Sequence, residues 1–259
     1  MRIVVLVKQV PDTADVRKLD LETGWLDRDA GEPIVDEINE RALEVALRYK
    51  DDHKDTEVVV LSMGPENAIK SIRKALAMGA DSGVHVVDDS LVGADALLTS
   101  LTIARALERT KFDLVIAGNE STDGNGGIIP AMLAERLGVP LLGFLANVEI
   151  TEANISGERQ GNDGTVNVHA ALPAIMTVTE RFDYARFPNF KGIMTAKRKP
   201  VETVTRADLG LDAAEASGLD HTEVLSTAER PERAAGTKID DDGTAAAALV
   251  EYLATNRLI

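Results

Sequence analysis

Residues 113–140 read DLVIAGNESTDGNGGIIPAMLAERLGVP, and this stretch decides the fold. Its first apolar run, residues 114–117, is too short for a helix and has the length of a buried parallel strand. A polar loop with three glycines follows, and from Ile129 the apolar residues recur at helical spacing until Gly138 and Pro140. A strand, a glycine-rich turn and a helix in this order bring backbone N–H groups against a phosphate in many α/β proteins.

The glycine cluster in this stretch allows two interpretations. In the first it is a phosphate cradle, in which Gly124, Asn125, Gly126 and Gly127 present N–H groups at the start of a helix. In the second it is an ordinary connection from strand to helix, with Asp123 as the N-cap. The spacing is neither a Walker loop nor a GxGxxG motif, so the residues alone leave both interpretations open.

Strands and helices alternate on the N-terminal side of this stretch as well. The hydrophobic pattern predicts strands at 3–7, 57–62 and 83–87 and helices at 37–50, 67–78 and 91–109. This alternation predicts a doubly wound α/β fold, with a mainly parallel, Rossmann-like sheet and helices on both faces. Ligands of such sheets bind beyond the carboxyl ends of the strands, where the strand order reverses. The loops after Val7, Ser62 and Gly118 are therefore expected to meet there.

The pattern changes on the C-terminal side. Short strands are predicted at 141–144, 148–151, 155–160, 165–171 and 172–179, the middle three as antiparallel hairpins at the edge of the sheet. A loop with a short helix follows at 182–199, then a polar segment at 210–242 and a last helix at 244–256. We expect a nucleotide-binding domain over 1–200 and an extended C-terminal arm over 201–259 that wraps a partner.

Composition excludes several functions. The 259 residues have a net charge of −15 and no cysteine, which argues against nucleic acid as a partner and excludes disulfides and thiolate metal sites. No run approaches about 20 apolar residues, and the chain begins directly with a strand, so we expect a cytoplasmic protein that is not embedded in a membrane. The four histidines are scattered, so no metal site is predicted. Because no catalytic constellation is evident, we expect a binding or scaffold subunit and not an enzyme.

A basic and aromatic segment precedes residue 200. Four of the eight Phe and Tyr residues lie within 182–190, and four Lys and Arg residues lie within 191–199. The segment is either the solvated end of a helix or a docking site for an acidic partner. The neighbouring aromatic residues favour docking.

Several motifs together resemble the β subunit of electron transfer flavoprotein. They are VLVKQVPD at 5–12, SMGP at 62–65, IRKALAMGAD at 72–81, the stretch 113–140, LPA at 172–174 and GIMTAK at 192–197. The motifs occur in the same order along nearly the whole chain. DEINERA at 36–42 and STDG at 121–124 are similar to the bacterial, non-bifurcating branch.

The resemblance implies an adenine nucleotide α-hydrolase-like fold and an αβ heterodimer. The α subunit would hold most of one FAD, and the β subunit a structural AMP. Electrons would pass from acyl-CoA and related dehydrogenases, as in fatty acid β-oxidation, to the FAD and then to a membrane quinone oxidoreductase. The β subunit itself would make or break no bond.

The resemblance also implies two sets of site residues. The cofactor-binding set is Leu6, Thr13, Asp36, Glu37, Ile38, Asn39, Met63, Asp123, Gly124, Asn125, Gly126, Gly127, Ile128, Ile129 and Ala134. The implied contacts are adenine against Leu6 and Met63, phosphate on the N–H groups from Asn125 to Ile129, and the flavin near Thr13 and Ile38. The dehydrogenase-recognition segment falls on 178–200, with Phe187, Phe190, Lys191, Ile193, Met194 and Lys197 as its docking residues.

The chain departs from the family pattern at a few positions. DGNGGIIP at 123–130 replaces DGDTAQVG, which leaves backbone contacts to a nucleotide but removes two polar side chains. Asp36-Glu37 replaces Asn-Pro, and a carboxylate there would repel a phosphate unless it caps the helix. Gln160 aligns with a glutamate that pairs across the subunit interface in some members.

Two alternative functions remain. One is a bifurcating member whose β subunit binds a second FAD and oxidises NADH. The other is a free-standing adenine-nucleotide-binding module of the stress-protein type.

Overall fold

The computed structural model describes residues 1–211, 221–233, 236 and 238–259. The strands are β1 Arg2–Leu6, β2 Gln9–Pro11, β3 Pro33–Val35, β4 Glu57–Met63, β5 Ser82–Val86, β6 Leu114–Gly118, β7 Leu141–Ile150, β8 Asn154–Gly161, β9 Gly164–Ala171, β10 Ala174–Val178 and β11 Val201–Val204. The helices are α1 Glu37–Asp52, α2 Ile69–Met78, α3 Ala96–Thr110, α4 Ile129–Leu137, α5 Phe190–Ala196 and α6 Ala245–Thr255. Short 3-10 turns lie at Glu66–Ala68, Asp89–Leu91 and Ala207–Leu209.

Nine of the strands form one sheet in the order β11-β5-β4-β1-β6-β10-β7-β8-β9. The strands from β11 to β7 are parallel, and β7, β8 and β9 are antiparallel. From β1 the chain passes outward through β4 and β5, and then returns through α3 to β6 on the other side of β1. The predicted doubly wound fold with added hairpins is therefore confirmed, and its switch point lies between β1 and β6.

The sheet separates two hydrophobic layers. Ile3 and Val5 of β1 pack with α1 and α2, whereas Val4 packs with α3 and α4, and all three are fully buried. Successive side chains of a strand point to opposite faces. A continuous apolar run is therefore what a strand covered on both faces requires.

Two predicted boundaries are wrong. The helix expected at 91–109 is interrupted, because Gly93 has a φ of +76° and Asp95 caps a new helix by accepting a hydrogen bond from Leu98 N at 2.9 Å. The strands expected at 141–144 and 148–151 are one strand, β7, with an irregularity between Leu145 and Asn147.

The expected arm does not begin at residue 201. β11 pairs in parallel with β5, and Leu209 and Leu211 are buried against the layer of α3 and α4. Four residues of strand carry too little periodicity to stand out in the sequence. The chain divides into two compact units, residues 1–225 and 226–259.

The second unit contains the predicted last helix, α6, at Ala245–Thr255. None of the residues of this helix is buried. The predicted polar segment 210–242 includes residues 212–220, 234–235 and 237, which lie outside the described residues. Among the described residues, no helix is long and apolar enough to cross a membrane.

Candidate functional site

The three loops expected at the carboxyl edge of the sheet do meet. Lys8, after β1, places its Nζ 2.8 Å from Asp123 Oδ1 and 3.2 Å from Ser121 Oγ, both in the loop after β6. The neighbouring Gln9 donates from Nε2 to Asn67 O at 3.3 Å, in the turn after β4. We refer to residues 119–128, after β6, as the glycine loop.

Asp36 links the first helix to the glycine loop. Its fully buried carboxylate caps α1, because Oδ1 accepts hydrogen bonds from Ile38 N at 3.0 Å and Asn39 N at 3.3 Å. Its Oδ2 accepts from Thr122 N at 2.6 Å. Both oxygens thus accept hydrogen bonds from the protein. Asp36 therefore caps the helix, which is the condition under which a carboxylate at this position is compatible with a bound phosphate. Glu37 is exposed and accepts a hydrogen bond from Thr13 Oγ1 at 3.1 Å.

Asn39 explains the glycine at the end of β6. Its Oδ1 accepts from Lys8 N at 2.8 Å, which fixes the chain as it leaves β1. A Cβ added to Gly118 would lie 2.6 Å from Asn39 Nδ2 and 3.0 Å from Ile38 Cγ2. Only glycine allows α1 to begin this close to the end of β6.

Asp123 is buried between two cations and does not cap α4. Its side chain is 2% exposed and pairs with Lys8 and, at 3.3 Å, with Arg28. Burial alone would raise the pKa of Asp123, but Lys8, by its charge and hydrogen bond, and Arg28 outweigh it, so the pKa lies below its ordinary value. The residue before α4 is Ile128, which offers no side-chain cap, so the N-cap interpretation of Asp123 is wrong.

The lowered pKa of Asp123 predicts a pH-dependent contribution to stability. A carboxylate with a lowered pKa stabilises the fold above its unfolded pKa of about 3.9, and this contribution is lost as pH falls through the folded pKa. We expect Asp123→Asn to be less stable than wild type at about pH 7, with the difference shrinking at about pH 3. Urea unfolding at both pH values measures the difference in the free energy of unfolding between variant and wild type. Asp55→Asn, at an exposed position, is the control. A difference that is equal at both pH values would contradict the prediction.

The glycine loop leaves several backbone donors free. Asn125 N donates to Ser121 O at 2.9 Å, so it is not available to a ligand, contrary to expectation. Among the described residues, none accepts a hydrogen bond from the N–H groups of Gly126, Gly127 or Ile128. These groups lie at the start of α4, where a helix attracts an anion. A Cβ on Gly126 would meet no atom within 4 Å, so the space beside this loop is open.

Asn119 supplies an unpaired polar atom at the same edge. Its side chain directly follows β6 and is 6% exposed, and its Oδ1 has no hydrogen-bond partner among the described residues. A buried acceptor without a donor is costly, so such an atom commonly marks the position of a ligand or water donor.

The remaining expected cofactor contacts divide into two groups. Leu6 and Met63, at the ends of β1 and β4, are partly exposed apolar side chains on the face of α3 and α4. Ile128 is half exposed, and Ile129 packs partly on that same layer. Ala134 is different, because its side chain is buried in the hydrophobic layer of α3 and α4.

The sequence analysis missed the arginines that reach this site from the long loop before β3. Arg17 donates from Nη2 to Thr122 Oγ1 at 3.1 Å and to Pro11 O at 2.9 Å, and its Nη1 contacts Thr122 O. Arg28 pairs with Asp123 from the same loop. In the sequence, only the length of this loop indicated that it covers a functional part of the molecule.

The expected recognition segment, residues 178–200, has exposed aromatic side chains. Phe187 is 94% exposed and Phe190, at the start of α5, is 80% exposed. Gly192 allows α5 to lie against α2, because a Cβ there would be 2.2 Å from Ala77 O. The other residues expected to dock a partner, Lys191, Ile193, Met194 and Lys197, are also accessible.

Lys199 does not belong to an exposed basic patch. Its Nζ donates to Leu76 O at 2.9 Å and also to Ala80 O, so it fastens the segment to α2. Burial lowers the pKa of its ammonium group. Arg73 adds hydrogen bonds to Ala196 O at 2.8 Å and Lys199 O at 2.7 Å.

Together, the fold and the site define a doubly wound α/β protein whose glycine loop at the switch point has free donors for an anion. The electron transfer flavoprotein domain model matches residues 23–209. The chain is 46% identical to the electron transfer flavoprotein subunit beta of Mycobacterium bovis (strain ATCC BAA-935 / AF2122/97), over 99% of both chains. It is 35% identical, over 92% of both chains, to the caffeyl-CoA reductase-Etf complex subunit CarD of Acetobacterium woodii. The chain belongs to the electron transfer flavoprotein family, as a β subunit.

Membership of this family identifies the chain as part of a flavin-dependent electron-transport system. No group of three or more His, Asp or Glu side chains suited to a metal ion occurs in the described part of the chain.

Proposed function

We propose that the chain is the β subunit of a heterodimeric, non-bifurcating electron transfer flavoprotein. It accepts electrons from acyl-CoA and related dehydrogenases and passes them through FAD to a quinone oxidoreductase. The α subunit provides most of the contacts to FAD, while this chain holds a structural AMP and the surface on which dehydrogenases dock. The observation that carries the proposal is the set of free N–H groups at Gly126, Gly127 and Ile128.

The residues at the switch point suit AMP. The three free N–H groups would hold its phosphate at the start of α4. Asn119 Oδ1 would accept a hydrogen bond from a ribose hydroxyl or the adenine amino group, which would satisfy its buried oxygen. Leu6 and Met63 would provide the apolar surface against which the adenine packs. Lys8 and Arg28 neutralise Asp123, so this buried carboxylate would not repel the phosphate.

The electron-carrier role rests on what this chain contributes around the flavin. FAD, when bound, supplies the redox chemistry. Thr13 and Glu37 are hydrogen-bonded to each other beside the start of α1, where Ile38 lies against Gly118. These residues would form the wall of this subunit that faces the flavin.

We also propose that the unit 226–259 wraps the α subunit. Helix α6 exposes Leu249, Val250 and Tyr252, each more than half accessible. A helix with apolar side chains and no buried residue needs a surface to cover it.

The nucleotide content of the pure heterodimer tests the proposal. This chain is co-expressed with its α subunit, the complex is denatured, and the released nucleotides are quantified by chromatography. One FAD and one AMP per heterodimer support the proposed function. Two FAD and no AMP would contradict it and indicate a bifurcating enzyme. A chain that retains an adenine nucleotide but never associates with the α subunit would indicate a free-standing module.

Phe190→Ala is expected to impair electron transfer from dehydrogenases without loss of flavin. An exposed aromatic anchor at an interface is worth about 2 kcal/mol, which corresponds to a fall of roughly thirtyfold in kcat/KM. Steady-state reduction of the flavoprotein by an acyl-CoA dehydrogenase measures it. Val166→Ala, at a half-exposed position on β9, is the control. Unchanged rates with several dehydrogenases would contradict the docking role of Phe190.

A further inference from the structure

Helix α1 carries a row of four charged side chains that face the recognition segment. Arg41, Glu44, Arg48 and Asp51 recur at three- and four-residue spacing, which places them on one face of the helix. Each of them contacts a residue between 182 and 186. Nothing in the sequence of either segment indicates this pairing.

Glu44 is at the centre of this contact. It is 6% exposed, and its carboxylate accepts four hydrogen bonds. Three come from Arg186, from its Nε at 2.8 Å, its Nη2 at 3.1 Å and its backbone N at 3.0 Å. The fourth comes from Arg48 Nε at 3.0 Å. Burial alone would raise the pKa of Glu44, but the bonds from Arg186 and Arg48 lower it overall, so the group is a carboxylate at neutral pH.

A second ring of contacts surrounds this pair. Asp51 accepts from Arg186 Nη2 at 2.8 Å, and Asp183 accepts from Arg48 Nη1 at 2.9 Å. Arg41 lies over the ring of Tyr184 at 4.3 Å and donates to Phe182 O. These outer groups are largely exposed, so their ion pairs contribute less than the buried Glu44 to holding the recognition segment on α1.

The geometry fixes the backbone at one point close to the docking residues. Glu44 binds both the side chain and the backbone N–H of Arg186, and Phe187 follows Arg186 directly. Bidentate pairs between arginine and a carboxylate define orientation as well as distance. On the other side, Lys199 and Arg73 hold the end of α5. Phe187 and Phe190 therefore project from a segment that is fastened at both ends.

We propose that Glu44 and Arg186 are positioning residues for electron transfer, which hold the recognition segment in the conformation that dehydrogenases bind. Neither residue needs to touch the partner or the flavin. The inference rests on the proposed function, because it assigns a docking role to this segment. Its structural part, that Glu44 fixes the segment, is testable without a dehydrogenase.

Limited digestion of the heterodimer with trypsin tests the structural part. Trypsin must take the side chain of Arg186 into its own pocket, which the contact with Glu44 prevents. In Glu44→Gln we expect cleavage after Arg186 to accelerate about tenfold, because the loss of one charge-assisted hydrogen bond is of that order. Mass spectrometry of the fragments identifies the cleaved bond.

The control is Glu57→Gln, which removes another glutamate that pairs with an arginine, because Glu57 accepts from Arg2 Nε at 2.9 Å where β1 and β4 begin. This variant should leave cleavage after Arg186 unchanged. Equal acceleration at distant sites such as Lys111 would mean that Glu44→Gln only weakens the fold, and would overturn the inference. Unchanged cleavage after Arg186 would overturn it as well.

The kinetic part uses an acyl-CoA dehydrogenase, reduced by its acyl-CoA, as the electron donor and the heterodimer as the varied substrate. We expect Glu44→Gln to raise KM for the heterodimer about tenfold with little change in kcat, because a mobile segment must be ordered on binding. Flavin content should equal that of wild type. A fall in kcat at unchanged KM would overturn the positioning role.

The two parts distinguish failure of this inference from failure of the proposed function. If the wild-type heterodimer accepts no electrons from the dehydrogenase, the proposed function is wrong. In that case faster cleavage after Arg186 would still establish Glu44 as the group that fixes the segment.

Discussion

A heterodimer carrying Gly126→Val is expected to purify with FAD but with little or no AMP. The three free N–H groups begin at this residue, and the space beside it is open. A branched side chain there would occupy the place proposed for the phosphate. Several charge-assisted hydrogen bonds would be lost together, which corresponds to a fall in affinity of at least about a hundredfold.

The structure makes this substitution a specific test of the ligand. A Cβ at Gly126 would meet no protein atom within 4 Å, and the backbone there is not in the left-handed region. The fold should therefore tolerate valine at this position, and any effect of the substitution should result from interference with the bound nucleotide. Chromatography of released nucleotides and the yield of heterodimer are the two measurements.

The matched control is Gly161→Val, at the end of β8, where an added Cβ would be 3.6 Å from the nearest protein atom. This control should keep a full complement of AMP. Wild-type nucleotide content in Gly126→Val would show that the phosphate does not bind at the glycine loop. Loss of AMP in both variants would point to a general effect on folding.

The second large effect is expected at Asp36. Asp36→Ala removes the cap of α1 and leaves Thr122 N–H without its acceptor. The lost cap costs about 1 kcal/mol, and the partly buried N–H of Thr122, left without an acceptor, costs a further 1–3 kcal/mol or so. The total, about 2–4 kcal/mol, should lower the melting temperature by roughly 5–15 °C.

Thermal unfolding followed by circular dichroism measures this effect. Asn189→Ala is the matched control, since Asn189 caps α5 by accepting a hydrogen bond from Gly192 N at 2.7 Å, and its side chain has no second hydrogen bond within the described part of the chain. It should cost only about the 1 kcal/mol of an ordinary cap. Asp36→Asn should lie between the two, because an amide oxygen can still cap α1 while its NH₂ group faces Thr122 N–H. Equal losses in Asp36→Ala and Asn189→Ala would show that the bond to Thr122 contributes nothing.

Much of the fold was predictable because its determinants are local. Apolar runs such as residues 3–6 define strands that are buried on both faces, and helical spacing from Ile129 defines α4. Alternation of the two then leaves few topologies, so the meeting of the loops at the switch point was predictable too. The start of α3 was predicted wrongly because the cap at Asp95 determines where that helix begins. β11 was missed because its four residues carry too weak a pattern.

The chemistry of the site was less predictable because it depends on distant partners. The sequence predicted the glycine loop, but it also allowed Asp123 to be a helix cap. The structure pairs Asp123 with Lys8, 115 residues away, and with Arg28, 95 residues away. No periodicity relates such positions.

By itself, the sequence determined the doubly wound sheet, the glycine loop after β6 and the β-subunit family, because periodicity, turn residues and motifs are properties of neighbouring residues. The tertiary structure alone decided that Asp36 both caps α1 and holds Thr122, and that Glu44 holds Arg186. A buried carboxylate is stable only if several donors surround it. Those donors come from segments that only the order of the strands brings together.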